Sequence, residues 1–354
     1  MNSIVFDCII TIVLVCVGVF MKALVAIKRD KTFETFFTKE NISFAEKLGD
    51  IIWLDTENVT EDVLKENIKD CDTYVTCWGS PPLTSQLLES APRLRLLTHL
   101  GSTVAPVVCD EVYAKGIKVI SGFDYYSKST AEGVVAYILA FLRKIPFYST
   151  RLKKHKIWSE ADDYTDGIIG KKIGIVGFGG VGRYVAKMLS NFDVNISGYD
   201  IAEISQQDKK AYGITQCGIE EIFSTCDIIS LNLPYNDSTY HIVDDALLSK
   251  IKRGALLVNT ARGAIINEAE LIKHLQKGSF NAALDVYEKE PIDMESPLLS
   301  LDNVLLLPHQ GGPTVNLRAV ITHELIKESA DFIDSNLPLK NEISAQRIKN
   351  MSKF

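Results

Sequence analysis

The sequence predicts an α/β protein made of two doubly wound parallel-sheet domains. Three observations carry that expectation. The length of 354 residues is enough for two domains at about 100–200 residues each. Short apolar runs alternate with helix-patterned stretches in two separate series, the pattern of parallel strands joined by crossover helices. A glycine-rich turn sits between strand and helix at the head of the second series. Composition agrees: 46% hydrophobic and 23% charged residues are ordinary for a globular chain. A net charge of −7 argues against a nucleic-acid backbone as partner. The short basic run Lys153-Lys154-His155-Lys156 reads as a solvated helix end. Seven cysteines, none spaced C-x-x-C, suggest reduced thiols in a cytoplasmic protein rather than a disulfide framework or metal site.

Residues 1–20 stand apart. Cys8 to Phe20 is a run of thirteen uncharged, largely apolar residues. That is shorter than the roughly 20 residues of a membrane span. It also lacks the preceding Lys or Arg and the following cleavage pattern of a signal peptide. We expect a misassigned upstream extension, with translation starting at Met21. A membrane anchor and a signal peptide are the alternatives, and membrane association is expected only in the first of these.

The first series spans 21–121. Its strand candidates are Met21 to Lys28, Ile51 to Leu54, Thr73 to Thr76, Arg95 to Thr98 and Ile117 to Ile120, with helices near Thr60 to Ile68 and Thr84 to Ser90. A long apolar helix, about Thr130 to Lys144, is expected to stop at Ile145-Pro146, because proline breaks a helix interior. The second series begins at Lys172. Its strand candidates are Ile173 to Val176, Asn195 to Tyr199, Asp227 to Leu231, Ala255 to Val258, Ala282 to Leu284 and Val304 to Leu307. Asn267 with Glu270 marks a capped helix that Gly278 ends, and a last helix runs from about Val315 to Asp334. No Gly/Ser linker separates the series, which favours a cleft between two domains.

Gly177-Phe178-Gly179-Gly180-Val181-Gly182 has the spacing G-x-G-x-x-G. It follows a strand, opens a helix, and is followed 18 residues after Gly182 by Asp200 at the end of the next strand. Together these form the Rossmann dinucleotide signature. Gly177 allows the tight turn, Gly179 lets the backbone approach a pyrophosphate, and Gly182 lets helix pack on strand. The helix N-terminus offers N–H groups and its positive dipole end to the phosphates. Asp200 would accept from ribose hydroxyls and repel a 2′-phosphate, so NAD is expected over NADP.

Three later segments place a polar group at a strand end: Asn259-Thr260-Ala261-Arg262-Gly263, Asp285-Val286-Tyr287-Glu288-Lys289-Glu290-Pro291 and Pro308-His309-Gln310-Gly311-Gly312-Pro313-Thr314. A guanidinium clamps a carboxylate with two hydrogen bonds, and a histidine oriented by a carboxylate moves a proton near neutral pH. In this order the segments resemble those of the D-isomer-specific 2-hydroxyacid dehydrogenases, from about Leu96 to Asn341.

The resemblance implies a Rossmann NAD-binding domain (122–307) inserted into a flavodoxin-like substrate-binding domain (21–121 and 308–354). It implies that Arg262 binds the substrate's carboxylate and carbonyl, that Glu290 assists and that His309 is the acid/base. It also implies that Asp285 holds the nicotinamide carboxamide, with Gly311 beside it. Thr260 and Ala261 would flank the nicotinamide, and Leu233 and Pro234 would lie near the adenine. Ser129-Thr130-Ala131-Glu132 matches the family's segment opening the long helix. A homodimer acting on a small 2-keto or 2-hydroxy acid is expected.

Two departures stand out. Gly180 replaces the Arg or Asn that is common in the family, and the substrate loop reads Gly101-Ser102-Thr103-Val104-Ala105-Pro106 without the usual Asp-Asn pair. Gly101, Ser102 and Thr103 remain the substrate-binding candidates, through backbone donors. His99 beside them reads as structural, and Trp78 and Tyr126 as core residues or pocket walls. Glu288 is the rival of Glu290, which directly precedes the proline. The alternatives in function are an NAD(H)-sensing binding protein of the same fold and a phosphoglycerate-type dehydrogenase.

Overall fold

In a computed structural model, residues 20–158 and 164–352 are described. The expectation for the N-terminal apolar run therefore lies, apart from Phe20, outside the described residues. Among the described residues no helix is long and apolar enough to cross a membrane.

The first series folds into a five-stranded parallel sheet, ordered β2-β1-β3-β4-β5. Its strands are β1 (Met21–Ala26), β2 (Gly49–Leu54), β3 (Thr73–Thr76), β4 (Leu96–His99) and β5 (Lys118–Ser121). The second folds into seven parallel strands, ordered β12-β11-β10-β9-β6-β7-β8. These are β6 (Lys172–Val176), β7 (Asn195–Tyr199), β8 (Ile214–Gln216), β9 (Ile228–Leu231), β10 (Leu256–Asn259), β11 (Asn281–Leu284) and β12 (Val304–Leu306). The first order is flavodoxin-like and the second is the Rossmann order with one strand added. β3, β4, β9 and β10 are buried along their whole length, as strands covered by helices on both faces must be.

Two long helices tie the sheets together. Phe123–Leu142 starts directly after β5 and packs against the Gly180–Leu189 helix of the second sheet. It starts well before Thr130, where the apolar periodicity becomes clear. Ser121 Oγ accepts from the Phe123 N–H, and the aromatic side chains of the first turns pack on the first sheet's cores. Pro146 does not end this helix. The chain turns at Lys144 in the left-handed region (φ 49°), and Pro146 sits in the first turn of a new helix, Ile145–Thr150, where its missing N–H costs nothing. The second long helix, Val315–Ser335, returns to the first sheet. The chain then lays Asn341 to Ile343 along the edge of β5, through Ser121 N to Asn341 O at 3.2 Å and Ile343 N to Val119 O at 2.8 Å.

Candidate active site

Strand register builds the site. Val176 pairs with Leu231, Leu231 with Asn259, Asn259 with Leu284, and Leu284 with Leu306. The residues that follow these positions therefore emerge in one row at the carboxyl edge: Gly177, Asn232, Thr260, Asp285 and Leu307. In the first sheet Thr76, His99 and Ser121 pair across, bringing the Trp78 turn and the Gly101 loop to a common edge. The two edges face a cavity of about 510 Å³. A larger hollow of about 790 Å³ opens at the amino ends of β9 to β12. It contains none of the polar strand-end segments, and ligands of such sheets bind at the carboxyl ends.

Gly177 has φ +90°, and a Cβ there would lie 2.8 Å from the Asn232 carbonyl carbon, so neither the backbone angle nor the space admits another residue. The helix that follows leaves its first N–H groups directed at the cavity, which Gly179, Gly180 and Val181 line. The departure at Gly180 has a steric reason. A Cβ there would meet Ser127 Oγ at 2.4 Å and the Phe123 ring at 2.7 Å, so the Phe123–Leu142 helix fills the space. Asp200 lies at the rim, outside the cavity wall. Its Oδ2 accepts from Phe178 N (2.7 Å) and its Oδ1 from Ala202 N (3.0 Å), which ties the acid to the glycine turn. Thr260 Oγ1 is buried with no partner among the described residues, next to Ala261, Leu233 and Pro234 on the same wall. A buried hydroxyl without a partner costs about 1–3 kcal/mol. The bare glycine cradle, the helix N-terminus without a side-chain cap, the acid tied to the glycine turn and this hydroxyl all fit a bound dinucleotide.

His309 and Glu290 form a pair: His309 Nδ1 lies 2.6 Å from Glu290 Oε2. Because the carboxylate only accepts, Nδ1 carries the hydrogen and Nε2 is left for a ligand. Glu290 Oε1 accepts from Tyr287 N at 3.1 Å, so the acid is itself held. His309 adopts φ 55°, uncommon for a side-chain-bearing residue, and its segment is fixed by Asp285. The Asp285 carboxylate accepts from Gln310 N and Gly311 N, both at 2.7 Å, and its carbonyl accepts from His309 N at 2.9 Å. Burial raises the Asp285 carboxyl above its usual range, while those two donors act in the opposite direction. Gly311 packs against that carboxylate and not on the cavity wall.

Arg262 is half-buried on the cavity wall. Burial lowers its guanidinium below the usual value, and the nearby charge of Glu290 opposes this. Asn259 shapes the turn that presents it, accepting from Ala261 N and donating to Arg262 O, both at 3.0 Å. Glu288 points elsewhere and pairs with His241. Ser102 and Thr103 line the cavity, and Gly101 sits behind them against the His99 ring.

Several wall residues were not predicted. His99 lines the cavity with its Nδ1 2.9 Å from Thr76 Oγ1, and burial pushes its pKa down to about 4. Arg318, Asn350, Met351 and Ser352 also line it. Ser352 bridges the two domains: Thr103 Oγ1 donates to its carbonyl at 2.8 Å, and its own Oγ accepts from Tyr235 N at 3.0 Å. These positions come from distant segments with no local motif, and nothing in their own residues announces them.

Known proteins resemble this chain in sequence and in fold. A family model for the NAD-binding domain of D-isomer specific 2-hydroxyacid dehydrogenases matches residues 135–311. A glyoxylate reductase of Korarchaeum cryptofilum is 30% identical over 291 residues, which cover 81% of this chain and 84% of that protein. A D-3-phosphoglycerate dehydrogenase of Methanocaldococcus jannaschii is 33% identical over 278 residues. That match covers 78% of this chain but 52% of the relative, so this chain spans about half of its length. The solved structure of a glyoxylate reductase from Paecilomyes thermophila has a TM-score of 0.75 at 25% identity, covering 92% of this chain and 99% of that one. The chain belongs to the D-isomer-specific 2-hydroxyacid dehydrogenase family and is an NAD-dependent oxidoreductase of 2-hydroxy acids and their keto forms.

Proposed function

We propose that the cleft reduces a small 2-keto acid to its D-2-hydroxy acid, and that the His309–Glu290 pair beside Arg262 is the machinery. The observation that carries this is the 2.6 Å contact of His309 with Glu290 on the same cleft as a half-buried arginine. Arg262 holds the substrate carboxylate, assisted by the N–H groups of Ser102 and Thr103, which donate to no acceptor among the described residues. Bound NADH supplies the hydride. His309 Nε2 delivers a proton to the carbonyl oxygen, and Glu290 stabilises and orients the imidazolium that donates it. Gly177, Gly179, Gly180, Val181 and Gly182 cradle the pyrophosphate, and Asp200 takes the adenosine ribose. Leu233 and Pro234 face the adenine side, while Thr260, Ala261, Asp285 and Gly311 surround the nicotinamide end.

The same proposal assigns 21–121 and 308–354 to substrate and 122–307 to cofactor. It places the protein in the cytoplasm and pairs it with a second copy. Supporting the pairing, Ile145, Phe147, Leu152, Trp158, Tyr164 and Ile169 are large apolar residues left exposed after the connecting helix. The test is NADH oxidation with pyruvate, glyoxylate and hydroxypyruvate, in wild type and His309→Ala. Loss of the acid/base should lower kcat by about 10²–10⁴ with NADH binding little changed. Near-wild-type turnover removes His309 from the mechanism.

A further inference from the structure

The wall of the cleft contributed by the first sheet carries a second cation. Arg318, from the first turn of the Val315–Ser335 helix, lines the cavity together with Arg262 and His309. Its guanidinium carbon lies 5.3 Å from the Trp78 ring centre and 5.7 Å from that of Phe36. Its Nε donates to the Pro313 carbonyl at 3.2 Å and its Nη1 to Thr35 Oγ1 at 3.4 Å. Its Nη2 has no partner among the described residues, and no carboxylate there pairs with this arginine. Trp78 is 44% exposed although large and apolar, and it meets Tyr126 edge-on at 5.9 Å. The Tyr126 hydroxyl is buried and has no partner among the described residues, and the Arg318 charge acts on it.

An arginine fixed on aromatic faces presents its remaining in-plane N–H groups to planar or tetrahedral anions. A buried hydroxyl without a partner is costly, and such groups are kept where a ligand completes them. One empty donor beside one unpaired cation, both on the wall of the same cavity, is a built subsite. We propose that Arg318, Tyr126 and Trp78 form a distal anion subsite. The natural substrate is then a 2-keto or 2-hydroxy acid with a second anionic group, a carboxylate or a phosphate, at the end away from the reacting carbon. This rests on the proposed function, in which Arg262 takes the first carboxylate. Trp78 supplies the flat wall along which the intervening carbons lie.

The test compares matched substrates with NADH: 2-ketobutyrate against 2-ketoglutarate, and hydroxypyruvate against hydroxypyruvate phosphate. Wild type should prefer the dianion of at least one pair, and which pair shows the preference distinguishes carboxylate from phosphate. Arg318→Gln should lower kcat/KM for that dianion by about 10- to 100-fold, the loss of a charge-assisted hydrogen bond, mainly through KM. The monoanion should change less than about threefold. Tyr126→Phe, which removes only the hydroxyl, keeps the test valid if Arg318→Gln does not fold; it should cost the dianion a smaller factor in the same direction. Equal losses on both members of a pair, or a wild-type preference for the monoanions, overturn the subsite. If no 2-keto acid is reduced although NADH binds, the proposed function fails. The subsite is then judged separately, by whether malate raises the melting temperature of the NADH complex more than lactate does, and whether Arg318→Gln abolishes that difference.

Discussion

The two walls of the cleft are built in opposite ways. On the cofactor side a single turn of six residues, Gly177 to Gly182, joins one strand to one helix, and its acid follows on the next strand. Its geometry is fixed by local demands: a positive φ at Gly177 and bare backbone where other atoms approach. On the side proposed for the substrate, Trp78, His99 with Ser102, Tyr126, Arg318 and Ser352 come from five separate places in the chain and meet only in the folded protein. The first wall is a motif and the second is a product of packing. A shared reaction chemistry therefore goes with a legible cofactor turn, while substrate choice is written in residues with no common local pattern.

If the comparison holds, changes on one wall leave the other's ligand alone. The largest effect expected is from Arg262→Lys, which keeps the charge and loses the planar fork. It should lower kcat/KM on a 2-keto acid by about 2–4 kcal/mol, as when one partner of a buried charged pair is lost. NADH affinity, followed by fluorescence titration, should stay near normal, and a collapse of it would merge the two walls into one.

His99 sharpens the comparison through pH. Its pKa in the folded protein is lowered to about 4, so the unfolded chain takes up the proton first as pH falls. Between about pH 6.5 and 4 the unfolded state binds more protons, and stability drops as pH drops, by up to about 3 kcal/mol. Denaturant titrations at several pH values should show this slope in wild type and a shallower one in His99→Gln. Parallel slopes would mean that His99 is not buried neutral.

Asp200→Ala should weaken NAD by about 1.5–3 kcal/mol, the worth of hydrogen bonds to a charged group, and narrow the preference against NADP. Unchanged relative affinities would show that the acid does not face the ribose. The smallest effect is expected from Ser352→Ala, which removes one hydrogen bond between the domains, worth about 1 kcal/mol. It should appear as a raised KM, and an unchanged KM would reduce the tail to filler.

Most of the fold was legible because strand burial leaves a mark. Eleven strands lie where apolar runs predicted them, whereas β8, three residues with one of them buried, has too little apolar content to stand out. The start of the Phe123–Leu142 helix was hidden for another reason. Its first turns are aromatic and serine-rich, weak helix formers, and contact with both domains decides them. In the site, Arg262, Glu290, His309 and the glycine turn could be named because each follows a strand within a few residues. Arg318 could not, since it sits inside a helix whose periodicity only announces a buried face. The tail at Ser352 could not either, since nothing in its own residues points to a cleft some 250 positions away in sequence, at Thr103.

The central claim is that this cleft hands hydride and proton to one face of a 2-keto acid. The direct test is to incubate the protein with NADH and hydroxypyruvate and to resolve the glycerate formed by chiral chromatography. The account predicts NADH oxidation matched by D-glycerate. L-glycerate, or tight NADH binding with no oxidation by this or any other 2-keto acid, would contradict it.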